Sequence, residues 1–242
     1  MSPSADEREP SPVTRLVPRL LGRLIFRSAT VHANRIVGPG LRLITLQGPQ
    51  LRGLRWQPGD KLQIRVAPGL MTTRAFTPTG WDERGGRTQL LVHSLSWGPG
   101  SVWARKVDHG DRVDFIGPRR SLDLAALDPA DTVLVGDETS VALAASWRPA
   151  LCVLEVINGH SAQEMLEALA LDAVAVERRD GGLHLDDMVA AMLEQAGPQT
   201  RFVLTGRERT IGSLLQSLRR AGVAPRRILA KSFWSEQRTG MD

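Results

Sequence analysis

The chain changes its rhythm of apolar and polar positions once, near Pro118. Before that point, short apolar runs follow one another, most with partial two-residue alternation: RLIFRSATVHANRI, LRLITLQG, KLQIRVA, RAFTPTG, TQLLVHSLS and RVDFIG. Gly and Pro turns punctuate them at 38–40, 58–60, 85–86, 98–100 and 109–111. Short strands at this spacing predict a small antiparallel barrel with no long helix. After Pro118, apolar runs alternate with helix-period stretches. TVLVG precedes ETSVALAASW, LCVLEVI precedes AQEMLEALA, AVAVER precedes LDDMVAAMLEQAG, RFVLTG precedes RTIGSLLQSLRRAG, and RILAKSFW closes the series. This alternation predicts βαβ units and a parallel sheet, whose ligands bind beyond the carboxyl ends of the strands. The rule points to Gly136–Ser140 and Gly206–Arg209. The expected fold is therefore a two-domain β + α/β chain. A polar tail over residues 1–14 is expected to be disordered. A barrel domain should follow over 15–122, and an α/β domain over 123–242.

Charge refines the picture. The net charge of +5 divides into +10 over residues 1–122, −11 over 123–200 and +6 over 201–242. Basic ends attract anionic partners. The chain contains no helix-turn-helix, zinc-finger or RNA-binding signature, so nucleic acid is not an expected partner. No apolar run approaches the ~20 residues of a membrane span, and MSPSADEREPSP does not read as a signal peptide. Cys152 is the only cysteine, and its apolar setting reads as a buried inert thiol. Together these features lead to the expectation of a cytoplasmic protein without a membrane partner or a cysteine-built metal site.

Four stretches carry candidate chemistry: Arg74-Ala75-Phe76-Thr77, the segment His93 to Ala104, Gly117-Pro118-Arg119-Arg120-Ser121, and Gly136-Asp137-Glu138-Thr139-Ser140. Arg74 offers a fixed cation with a planar donor fork. Phe76 shares its strand face two residues on and offers a flat ring, and Thr77 adds a hydroxyl. Gly98-Pro99-Gly100-Ser101 removes side chains so that backbone amides can approach an anion, with the Ser101 hydroxyl as a further donor. Val102, Trp103 and Ala104 should open a short helix whose positive end faces that anion. Trp103 either anchors this helix in the core or flanks the ligand. His93 either lines a pocket or is a satisfied strand histidine. Asp137 or Thr139 can cap the helix after the first parallel strand.

In this combination and order, the R-x-aromatic-T strand, H-x4-GPxSxWA, GPxxS and GDETx resemble siderophore-interacting proteins, ferric-siderophore reductases of the ferredoxin-reductase-like superfamily. The resemblance covers roughly residues 15–240. It implies that FAD lies on the barrel, with its ring system near Phe76 and Thr77 and its diphosphate against Gly98–Ala104. It also brings Arg119 and Ser121 close to FAD, unless the basic turn is merely solvated. Asp137, Thr139 and Ser140 would then face the nicotinamide or flavin edge, Trp234 would shield the flavin, and Lys231 and Arg238 would meet an anionic ferric siderophore. NADH or NADPH is the implied donor, with ferredoxin as another source of electrons. Two departures stand out. Phe76 occupies a position where the family usually has Tyr, and Gly206-Arg207 replaces a usual Gly-Glu pair. The implied activity is FAD-dependent reduction of chelated Fe(III). Alternatives are a flavoprotein feeding another redox protein, or a member that has lost its nicotinamide site.

Overall fold

The computed structural model describes residues 26–68 and 72–236; the tail expected over 1–14 and the candidate Arg238 lie outside them. Strands β1 (Arg27–Gly38), β2 (Leu41–Gln47), β3 (Asp60–Arg65), β4 (Thr73–Phe76), β5 (Pro78–Asp82), β6 (Arg87–His93) and β7 (Arg112–Arg120) form one antiparallel sheet. Its order is β4-β3-β7-β1-β2-β6-β5. The stretch RAFTPTG, read above as one strand, is divided between β4 and β5, and these two are the opposite edges of the sheet. Thr77 alone joins them. A flat seven-stranded sheet would hold its edges roughly 29 Å apart at ~4.8 Å per strand, and one residue spans about 3.5 Å. The sheet is therefore rolled into a barrel, and Thr77 sits at its seam.

Inside the barrel, Val31, Ile44, Leu46, Leu62, Ile64, Leu90 and Phe115 are buried together. Helix α1 (Pro99–Lys106) lies between β6 and β7 in the chain. It buries Ala104 completely, and Trp103 packs on the same cluster.

The second half holds β8 (Thr132–Asp137), α2 (Val141–Trp147), β9 (Leu151–Val156), α3 (Gly159–Ala168), β10 (Ala173–Glu177), α4 (Leu185–Glu194), β11 (Arg201–Leu204), α5 (Glu208–Arg220) and β12 (Ile228–Ala230). All pairings are parallel, in the order β10-β9-β8-β11-β12. The order reverses direction between β8 and β11, which makes their carboxyl ends the switch point where such sheets bind ligands. The amphipathic pattern of α5 buries Ile211, Leu214 and Leu218 against the sheet.

The two sheets share a core. Leu41 and Leu91 of the barrel and Leu122 and Leu124 of the connection cluster with Leu134, Val141, Leu143 and Trp147 of the α/β half. This continuous apolar packing fixes the walls of the cleft between the two sheets. Cys152 is buried in the same cluster, and burial pushes its thiol up to about 12, consistent with an inert side chain. Among the described residues, no helix is long and apolar enough to cross a membrane.

Candidate functional site

A cleft of about 470 Å³ opens between the barrel and the carboxyl ends of the parallel strands. That is a usual size for a small-molecule site. The barrel contributes Arg74, Ala75, Phe76 and Thr77 from the seam, His93 from the end of β6, Gly98, Pro99, Gly100 and Ser101 from the start of α1, and Ser121. The α/β half contributes Asp137, Thr139, Lys231 and Trp234. The structure thus gathers most of the residues singled out by sequence around one space.

Local geometry explains how α1 presents its start to the cleft. The helix begins at Pro99 with Gly98 as its N-cap, three residues earlier than expected, so Val102, Trp103 and Ala104 are interior helical residues and do not line the cleft. Proline has no N–H to satisfy, which suits the first helical position. Val102 N–H closes the first turn on Gly98 O at 3.0 Å. The amides of Gly100 and Ser101 remain as the open donors of the helix end. A Cβ on Gly100 would lie 3.3 Å from Phe76 Cζ and 3.7 Å from Arg74. The missing side chain at Gly100 therefore also lets the helix start pack directly on β4.

The Ser101 hydroxyl was expected to be a ligand donor. Instead it donates to His93 O at 3.0 Å and stands 2.7 Å from Ser96 Oγ, so its backbone amide is the group left for a ligand. Of the two roles open to Trp103, the structure shows core anchoring: its ring packs at 5.1 Å from that of Phe76. Arg119 also departs from expectation. It is exposed, reaches Gln63 Oε1 at 3.4 Å and does not line the cleft.

On the other wall, Asp137 caps the turn after β8. Its Oδ1 accepts the Thr139 amide at 2.9 Å, and its Oδ2 accepts Trp234 Nε1 at 2.6 Å. Burial raises the Asp137 carboxyl above its ordinary range, although hydrogen bonds from Thr139 and Trp234 pull the other way. Gly206 has a positive φ of 94°, and a Cβ there would stand 2.7 Å from the Asp137 carboxyl. Only glycine lets the end of β11 pass this close. Ser140 is fully buried, bonds Thr205 Oγ1 at 2.8 Å and does not line the cleft; it ties β8 to the segment after β11 and holds the Asp137 turn in place. Across the cleft, burial lowers the pKa of His93, partly offset by the charge of Asp137.

Beneath this wall lies a cluster that the motif reading did not find. Glu155, fully buried in β9, accepts from Arg178 Nε at 2.9 Å, from Thr210 Oγ1 at 2.8 Å and from His184 Nε2 at 2.8 Å. His184 accepts the Arg179 amide at Nδ1, which places its ring proton on Nε2. Arg207 Nη1 stands 3.7 Å from the same carboxylate, and its guanidinium also reaches Glu236 and lies 5.8 Å from the Trp234 ring centroid. Burial favours the neutral acid, but the arginine, threonine and histidine bonds outweigh it and hold the Glu155 carboxyl below its usual range. Arg178 lines the cleft, and its Nη2 and Arg207 Nε are buried without a hydrogen-bond partner among the described residues. Sequence offered two signals for this cluster: a carboxylate inside the apolar run LCVLEVI, and the rule that residues just past every parallel strand face the ligand. No three His, Cys, Asp or Glu side chains among the described residues stand where they could hold a metal ion.

No protein-family model matches the sequence, and no curated protein matches it. Solved structures do match its fold. The siderophore-interacting protein SipS from Aeromonas hydrophila aligns with a TM-score of 0.69 at 21% identity, over 89% of this chain and 93% of that one. A siderophore utilization protein from T. fusca aligns at 0.68 and 21% identity, over 90% and 95%. The ferredoxin reductase in carbazole 1,9a-dioxygenase aligns at 0.68 and 18% identity, over 86% and 69%. The chain has the ferredoxin-reductase-like fold of these proteins, and the neighbours match the resemblance carried by its motifs.

Proposed function

We propose that the chain is an FAD-dependent reductase of ferric siderophores, acting in the cytoplasm with electrons from NADH, NADPH or ferredoxin. The observation that carries this reading is the cleft itself: one wall offers open helix amides and a seam of Arg74, Phe76 and Thr77, and the other is the switch point of a parallel sheet. The donor set fits a flavin dinucleotide. Arg74 and the Gly100 and Ser101 amides suit a diphosphate. Ala75, Phe76 and Thr77 offer a flat surface and a hydroxyl to a ring system. Trp234, held by Asp137, closes the opposite wall. Arg178 and Lys231 bring two cations to that wall for an anionic nucleotide or chelate, beside the acidic side chains of Asp137 and Glu138.

Bound FAD would supply the passage from a two-electron donor to a one-electron acceptor. The protein's task is then to hold, orient and shield. Ferric iron, held by hard anionic oxygen donors, is the substrate; Fe(II) is softer and held less well, so reduction releases it. The two siderophore-named neighbours support this choice of acceptor, and the near-equal match to a ferredoxin reductase supports transfer to a redox protein as the second reading.

The test is an anaerobic absorbance spectrum of the FAD-loaded protein. The donor should bleach the flavin band, and a ferric chelate should restore it with Fe(II) appearing on a ferrous-specific trap. Restoration by a protein acceptor but not by any chelate selects the second reading. Failure of the protein to load with FAD sinks both.

A further inference from the structure

Trp97 has the largest exposure of any large apolar side chain among the described residues, at 90%. Its chain neighbours Ser96 and Gly98 both line the cleft, and α1 begins two residues further on. The loop is tied down. The Arg105 guanidinium donates to the carbonyls of Ser94 and Ser96, the latter at 2.9 Å, and lies 5.7 Å from the Trp97 ring centroid. Ser96 Oγ stands 2.7 Å from Ser101 Oγ, which ties the loop to the helix start. A held loop therefore carries an uncovered indole at the rim of the cleft, beside the amides that would take a phosphate. Such a ring presents a large apolar face to water unless something flat covers it.

We infer that Trp97 stacks on the adenine of the flavin dinucleotide and so makes the site prefer FAD to FMN. This rests on the FAD reading above. With the flavin ring at the Phe76–Thr77 seam and the diphosphate at Gly100 and Ser101, the group hanging from the outer phosphate is adenosine. Stacking on an indole suits any base, and the Arg105 guanidinium beside the ring adds to it.

The test compares FAD, FMN and ADP binding by the wild-type chain and by Trp97→Ala and Trp97→Phe, read by flavin fluorescence and calorimetry. Trp97→Ala should weaken FAD and ADP about ten-fold or more, within the range of a lost base–aromatic stack. FMN affinity should stay within two-fold, and Trp97→Phe should recover most of the loss. Equal weakening of FMN and FAD, or unchanged FAD affinity in Trp97→Ala, overturns the adenine assignment while the FAD reading survives. A wild-type chain that binds FAD no better than FMN also overturns it, and one that binds neither removes the FAD reading as well.

Discussion

The two walls of the cleft are built on different principles. The barrel wall works by exposure of backbone and flat side chains: open amides at the start of α1, the Phe76 ring, and an Arg74 whose guanidinium, among the described residues, hydrogen-bonds only its neighbour's carbonyl, Thr73 O at 2.6 Å. The α/β wall works by a buried charge network, with Glu155 collecting Arg178 and His184 from the connection between β10 and α4, and Arg207 and Thr210 from the start of α5. The first wall presents Arg74 and backbone amides to the cleft at little cost to the fold, although Phe76 also packs on the barrel core. The second is structural and electrostatic at once, because Arg178 reaches the cleft only while Glu155 holds it. The difference predicts that substitutions on the two walls separate into binding defects and stability defects.

The largest effect should come from Glu155→Ala. Removing a fully buried carboxylate leaves Arg178, Arg207 and His184 without their shared acceptor, which costs about 3–5 kcal/mol by analogy with other broken buried pairs. Urea unfolding measures it. A loss under about 1 kcal/mol would show that water repairs the network and that the two walls are alike after all. Glu155→Gln sharpens the comparison, since it keeps the side-chain volume and one acceptor oxygen but removes the charge and puts an NH2 donor in place of the other oxygen.

Arg74→Ala should do the reverse. With no hydrogen-bond partner beyond Thr73 O among the described residues, it should leave unfolding within about 0.5 kcal/mol of wild type. FAD affinity should drop at least roughly ten-fold, the scale of one charge-assisted hydrogen bond. Normal FAD retention would remove Arg74 from the site and shift the phosphate assignment wholly to the helix amides. A large stability loss would mean that its stem, packed under Gly100, matters more than its charge.

These contrasts also explain what the sequence made legible. The barrel wall was readable because its parts are local: Arg74 to Thr77 and Gly98 to Ser101 are each contiguous, and the family resemblance implied that both stretches meet one ligand. The alternation of periods gave every parallel strand and helix of the second half within a few residues, because each buries a continuous apolar face. Two features were hidden. The split of RAFTPTG at Thr77 is a property of sheet closure, which no two-residue alternation reports. The Glu155 network joins residues from β9 to α5, 55 positions apart, and only the strand order β10-β9-β8-β11 brings them together. Arg119 misled for the opposite reason: the motif around it is local, but β7 turns that side chain to solvent.

The smallest effect is a difference in slope with pH, and it tests whether the two walls feel each other across the cleft. His93 of the barrel wall titrates below its ordinary 6.5 because burial penalises the imidazolium, with Asp137 opposing. Between that lowered value and 6.5 the unfolded chain binds more protons than the native one. Stability therefore rises with pH through that window and is lost as pH falls below 6.5. Asp137 has the opposite sign. Its carboxyl is raised above 3.8 by burial, so the native state binds more protons in the window just above 3.8 and stability falls as pH rises through it. Unfolding measured from pH 4 to 8 should show the His93→Gln curve flatter than wild type below 6.5. Asp137→Asn should remove the opposing slope at the acid end and, by deleting the charge that favours imidazolium, deepen the His93 loss. A His93→Gln curve parallel to wild type would place His93 in contact with water and separate the walls electrostatically. An Asp137→Asn curve that leaves the His93 slope unchanged would show that the two groups share the cleft without sharing its field.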